Sequence, residues 1–117
     1  MSFTIKYYTD ERGRKPVEEF IDGTNSDKVK AKIFSGLKLL QEVGFLEFPY
    51  SRKIESVKKL RELRVQFSSN IYRIFYFMQV GREIILLHGF QKKTQKTPQR
   101  EIDIAEKRMK EHLERRI

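Results

Sequence analysis

Two arginines stand inside stretches that otherwise read as β-strand: Arg64 in the run LRELRVQF and Arg73 in IYRIFYFM. Residues 91–98 come next as a loop that carries Lys92, Lys93 and Lys96 and no acidic residue. Phosphate oxygens are best held by cationic donors on a rigid support, so RNA or DNA is the first partner to consider. Arg73 is the sharper signal, because an arginine in an apolar strand is costly unless it is paired or at an open surface. The competing reading of Arg73 is a buried ion pair with Glu62 on the neighbouring strand. Arg64 has the opposite parity to Leu63 and Val65 and is expected on an open sheet face. Phe67, Tyr72, Tyr76 and Phe90 interleave with these bases. Most of them are expected in the core, and any that faces outward offers a surface for a base to stack on. His88, beside Gly89, reads first as a structural histidine and second as a proton-transfer group. Lys107, Arg108, Lys110, Arg115 and Arg116 read as a solvated basic helix face. No Walker loop, zincin helix or nucleophile elbow is present.

The elements that must carry these groups can be read from the patterning. Phe3, Ile5 and Tyr7 alternate with Thr4, Lys6 and Tyr8, which predicts a short half-buried strand. Pro16 opens a short helix running to Ile21, with Gly23 as its stop. Asn25-Ser26-Asp27 supplies the next N-cap, and Val29, Ile33, Leu37 and Leu40 form one apolar helix stripe with Phe34 beside it. Gly44 is expected as a left-handed cap. Residues 45–56 read as a connector broken by Pro49, with Arg52 and Lys53 near its end. Three strands are expected over residues 59–67, 71–79 and 83–90, joined at Ser68-Ser69-Asn70 and at Gly81. The middle one is apolar on both faces except at Arg73, so it is expected centrally. Thr97-Pro98 caps a last helix whose apolar positions are Ile102, Ala105, Met109 and Leu113. That helix is thinly apolar and is expected to dock weakly or to await a partner.

The totals agree with one domain over residues 1–117. Hydrophobic residues make up 38%, with nine Phe and five Tyr, enough for a real core despite 35% charged residues. Cysteine is absent and only His88 and His112 remain as soft ligands, so neither a disulfide framework nor a zinc site is expected. No apolar run approaches the roughly 18–20 residues of a membrane span and no signal-peptide core opens the chain, which points to the cytoplasm. The net charge of +9 lies almost wholly in the second half. Residues 1–57 balance to +1 and residues 58–117 to +8. Charge this uneven bears on partners more than on fold. The expected architecture is α+β: an N-terminal strand, a helical hairpin, an antiparallel sheet of about four strands and a C-terminal helix. The helices are expected on one sheet face, leaving the other partly open as a groove for a single strand of nucleic acid.

The run LRELR, then IYRIFYF, then a Gly turn and IILLHGFQKKTQKTP leading into a charged helix, resembles the HigB-type toxins of the RelE/ParE superfamily, in their phage-related branch. The similarity spans nearly the whole chain and is most specific over residues 87–98. Members of that branch often carry a tryptophan before the Glu-Leu-Arg, where this chain has Arg61. The histidine–aspartate–tyrosine site of some other HigB toxins has no clear match here. The resemblance implies a RelE-like fold and a ribosome-dependent mRNA endoribonuclease, the toxin of a type II toxin–antitoxin pair. Its implied partners are the ribosome, translated mRNA and a HigA-like helix-turn-helix antitoxin, with no metal or other cofactor. On this reading Arg73 and Arg64 stabilise the phosphorane, and Lys93 or Lys92 is the general acid. Glu62 is the candidate base. Lys92, Lys96, Arg61, Lys59, Phe90 and Thr94 are the expected RNA contacts. Two alternatives stay open: a ParE-like toxin that poisons DNA gyrase without cutting RNA, and a nucleic-acid-binding domain with no enzymatic role.

Overall fold

The structure is a computed structural model and describes residues 2–79, 81–92 and 96–115. The chain opens with β1 (Thr4–Tyr7), then α1 (Pro16–Asp22) and α2 (Asp27–Val43). A short β2 (Ser51–Lys53) precedes β3 (Arg61–Phe67), β4 (Asn70–Gln79) and β5 (Glu83–Lys92), and α3 (Gln99–Glu114) closes the fold. Local chemistry sets the helix ends. Pro16, with its fixed φ, begins α1. The Ser26 hydroxyl accepts from the Val29 N–H at 3.3 Å and starts α2. Gly44 ends α2 in the left-handed region at φ 75°, its N–H bonded to the Leu40 carbonyl. The turn is closed over by Phe3, whose ring would lie 2.2 Å from any Cβ placed at Gly44.

The sheet is five-stranded and mixed, in the order β1-β5-β4-β3-β2. β1 runs parallel to β5 and the other pairs are antiparallel. The expected sequence of strand, helical hairpin, three strands and helix is present, and β2 is added from within the 45–56 connector. β4 lies at the centre and is buried from Ile71 to Phe77, as its unbroken apolar run requires.

Both sheet faces are covered. Leu63, Val65, Tyr72, Ile74, Tyr76, Ile84 and Leu86 pack against Val17, Ile21, Val29, Ile33, Leu37 and Leu40 of the hairpin. On the opposite face Phe75, Phe77, Ile85 and Leu87 meet Ile102, Ala105 and Met109 of α3, together with Ile54, Val57 and Leu60 of the β2–β3 connection. The expectation of a partly open second face is therefore corrected. A central strand apolar on both sides exposes too much area to stay bare, and three buried residues of α3 plus one connection are enough to cap it. No helix among the described residues is long and apolar enough to cross a membrane.

The β4–β5 ladder is irregular at one point. Phe75 pairs with His88 and Tyr76 with Leu86, so Leu87 is an extra residue in β5. The bulge turns Leu87 and His88 toward the same face, under α3. Gly89 then points to the hairpin side, where the Phe20 ring lies against it. A Cβ there would sit 2.5 Å from that ring and 2.8 Å from Phe20 Cγ, next to the backbone, so the helix or the strand would have to shift. Gly89→Ala is expected to lower stability by about 1–3 kcal/mol through overpacking, read as a drop in the urea midpoint at unchanged slope.

Candidate functional site

Arg64 and Arg73 face each other directly across β3 and β4. Like charges in that position repel, so the pair needs a counter-ion. Glu62, two residues before Arg64 and therefore on the same face, supplies it. Its Oε1 lies 3.8 Å from Arg64 Nε and 3.1 Å from Arg52 Nε, and its Oε2 lies 3.8 Å from Arg73 Nη1. Arg52 arrives on β2, in register with Glu62. Thr97 completes the arrangement from the start of the last helix. Its hydroxyl donates to Glu62 Oε2 at 2.8 Å and accepts from Arg73 Nη1 at 3.1 Å and from Arg52 Nη2. One proton and two lone pairs are thus all used. Arg73 Nη1 also donates to the Lys96 carbonyl at 3.0 Å.

Among the described residues three guanidinium groups lie within 4 Å of one carboxylate, so positive charge outweighs negative at this spot. Glu62 and Arg73 are fully enclosed, and the Arg64 side chain is 5% exposed. Arg52 is the accessible member, at 33%. Burial depresses the pKa of Arg64 and of Arg73, Glu62 opposes that shift, and the neighbouring arginines add to it. Guanidinium groups nevertheless stay cationic. In so dry a setting their field is stronger than the same charges would exert in water.

The expected site residues are only partly brought together. Arg64 does not project from an open face: it lies beneath Phe48, whose ring centre is 5.2 Å from its guanidinium carbon. Glu62 is closed off with both oxygens engaged, so it serves as counter-ion, and an incoming hydroxyl has no access to it as a base. Arg73 is likewise a buried partner of Glu62, its side chain fully enclosed. Phe90 is 8% exposed and stacks on Phe75 and His88, so it offers no face to a nucleobase. Arg61 points to the hairpin side, donating to the Tyr76 hydroxyl and the Leu46 carbonyl, so it stands apart from the cluster. Lys59 lies with Met78 and Leu113 at the other end of the sheet. Lys92 is exposed at the end of β5, on the Arg73 face by register, and the Lys96 side chain is exposed beside Thr97. Lys93 and Thr94 lie outside the described residues.

Three participants escape the pattern of the sequence. Arg52 sits in what reads as connector, and no periodicity marks it. Thr97 reads as a helix cap, yet its hydroxyl serves the cluster, and Pro98 takes the cap position without a side-chain bond. Arg108 reads as part of a solvated face. Instead its Nη1 donates to the Leu87 carbonyl at 3.0 Å, released by the bulge, and to His88 Nδ1 at 3.2 Å. An isolated glycine inside a strand is a known sign of a bulge or close approach, and Gly89 is that sign here.

Arg108 also fixes the state of His88. With Nδ1 accepting from a guanidinium, the proton sits on Nε2, which donates to Glu101 Oε1 at 2.6 Å. Burial between Phe75, Phe90 and α3 lowers the His88 pKa, Glu101 opposes this and Arg108 reinforces it. The folded chain therefore binds fewer protons here than the unfolded chain. Stability is full above the ordinary imidazole range, near pH 6.5, and falls as the pH drops through the lower folded value. Urea midpoints measured from pH 7.5 down to 5 are expected to decline, and His88→Gln to flatten that part of the decline.

Among the described residues no group of three or more His, Asp or Glu side chains is placed to hold a metal ion. Compared with known proteins, residues 20–110 match the family described as "Phage derived protein Gp49-like (DUF891)". No curated protein matches the chain.

Proposed function

This chain belongs to the Gp49-like phage-derived family, within the RelE/HigB-type toxin superfamily, and on that footing we propose that it is a ribosome-dependent mRNA endoribonuclease, the toxin of a type II toxin–antitoxin pair. The observation that carries the reading is the convergence of Arg52, Arg64 and Arg73 on a single carboxylate. An excess of fixed positive charge held on three adjacent strands suits a reaction that builds negative charge on a phosphorane.

Cleavage by the message's own 2′-hydroxyl needs no external nucleophile, because proximity is built into the ribose. The 2′-oxygen loses its proton and bonds to phosphorus, and the 5′-oxygen leaves with a proton from a general acid. Arg52 is the group in reach of the phosphate. Arg64 and Arg73 are positioning residues behind it: they hold Glu62 and Thr97, orient Arg52 and add to the field. Lys92 and Lys96 hold the neighbouring backbone, and Lys92 or Lys93 is the general acid. The enclosed Glu62 supplies no base, so orientation and activation of the 2′-hydroxyl fall largely to the ribosome. On this reading the protein acts in the cytoplasm, on translating ribosomes. A HigA-like antitoxin that covers the cationic face would neutralise it.

A second reading, the gyrase-poisoning toxin, draws on the enclosure of Arg73, which a toxin with no RNA chemistry would equally allow. Mapping message 5′ ends after induction in cells separates the two. Cuts in translated messages that vanish in Arg52→Ala support the endoribonuclease, and intact messages with gyrase-linked DNA breaks overturn it.

A further inference from the structure

β3 runs on past the end of β2. The short strand pairs only with residues 61–63, and the Tyr50 carbonyl accepts the Arg64 N–H at 2.8 Å. Beyond that point the outer edge of β3 has no strand partner among the described residues. A groove of about 550 Å3 opens there between β3 and α2. Gly36 lets the helix come close, since a Cβ at that position would lie 3.3 Å from Val65. Leu39 forms an apolar wall, while Phe48 and Tyr50 stand at the rim, 65% and 61% exposed. Lys32 and Arg64 line the same groove.

Two aromatic rings held this far into solvent need an explanation, and their setting supplies one. The two charged residues of the lining are both cations, Lys32 exposed and Arg64 enclosed beneath Phe48, whose ring centre lies 5.2 Å from its guanidinium carbon. Flat faces interleaved with cations are the means by which proteins hold single-stranded nucleic acid. Arg64 lines this groove at the β3 edge and also pairs with Glu62, so its enclosed side chain lies between the two. The geometry points to the groove as the track for single-stranded RNA leading to the cluster, with Phe48 and Tyr50 each stacking on one base and Lys32 meeting the backbone. The inference rests on the RNA substrate proposed above and names the part of the message-binding surface that the cluster itself lacks.

The test uses the full chain and a fluorescein-labelled 2′-O-methyl oligouridylate of about ten nucleotides, a length within the usual site size. The blocked 2′-oxygen removes cleavage, so binding is read alone by anisotropy. Phe48→Ala and Tyr50→Ala are each expected to weaken binding roughly tenfold, the loss of one stacked base. Phe48→Tyr keeps a ring and should bind like the wild type, while Phe48→Leu keeps only apolar bulk and should be as weak as Phe48→Ala. Both side chains are largely exposed, so the variants are expected to fold, and circular dichroism checks this.

Wild-type affinity in Phe48→Ala overturns the inference, as does restoration by Phe48→Leu or no measurable binding by the wild type. Loss of co-purification with the protein of the adjacent reading frame, with oligonucleotide binding intact, also overturns it and makes the groove a protein interface. If the oligonucleotide is bound through Phe48 but messages stay uncut in cells, the endoribonuclease reading falls and the RNA track stands.

Discussion

Glu62→Ala is expected to lower the stability of the domain by about 3–5 kcal/mol, because it strips buried guanidinium groups of their shared counter-ion. Marginal stabilities are about 5–15 kcal/mol, so the loss is a large share of the whole. It corresponds to a fall in melting temperature of roughly 10–20 °C for a domain of this size. The cause is asymmetric. Arg64 and Arg73 face each other across two strands, and with Glu62 gone the carboxylate that offsets their repulsion is lost. Replacing the charges together should be milder: Glu62→Leu combined with Arg73→Met is expected to be less destabilised than Glu62→Ala alone. Thermal melts of the three variants decide the point. A double variant worse than the single one would mean that the carboxylate packs more than it neutralises.

Arg52→Ala is expected to lower kcat/KM for message cleavage about 10²–10³-fold, the usual cost of removing one group that stabilises charge in the transition state. Its side chain is one-third exposed, and Glu62 keeps Arg64 and Arg73 as partners after it is lost. The stability cost should therefore stay near about 1 kcal/mol, as for a partly solvated ion pair. That separation makes Arg52 a better probe than Arg73. An Arg73→Ala protein would lose activity through unfolding whatever its part in chemistry, since it is fully enclosed and bonded to Lys96 and Thr97. Arg52→Lys retains the charge without the planar fork and should recover part of the rate. Single-turnover cleavage on programmed ribosomes, with denaturation midpoints alongside, reads both quantities.

The fold is largely legible in the residues, and the site only in part. The apolar stripe of α2, the Ser26 and Gly44 caps and the three alternating strands announce themselves, because each arises from local periodicity or turn chemistry. Arg73 and Glu62 are visible as a pair of candidates, and the competing reading of Arg73 as a buried ion partner is the arrangement found. What stays hidden depends on contacts distant in sequence. β2 is three residues long and has no pattern of its own, so neither the fifth strand nor the arrival of Arg52 at Glu62 can be read locally. The expected open face fails for a related reason. α3 buries only Ile102, Ala105 and Met109, a stripe too thin to signal docking, yet it completes a face that β4 leaves apolar. Residue type alone also fails to sort the cations. Arg61 and Arg64 lie three positions apart on β3, and that odd spacing sends them to opposite sides of the sheet. Only Arg64 joins the cluster.

If the excess positive charge around Glu62 serves cleavage of a phosphodiester by the neighbouring 2′-hydroxyl, the products carry its signature. Purified protein is incubated with ribosomes bearing an end-labelled message, and both new termini are read. Cuts are expected within the translated region, leaving 2′,3′-cyclic phosphate and 5′-hydroxyl ends, and they are expected to be lost in Arg52→Ala. Messages that stay whole, or cuts of equal rate in Arg52→Ala, would contradict this role for the cluster.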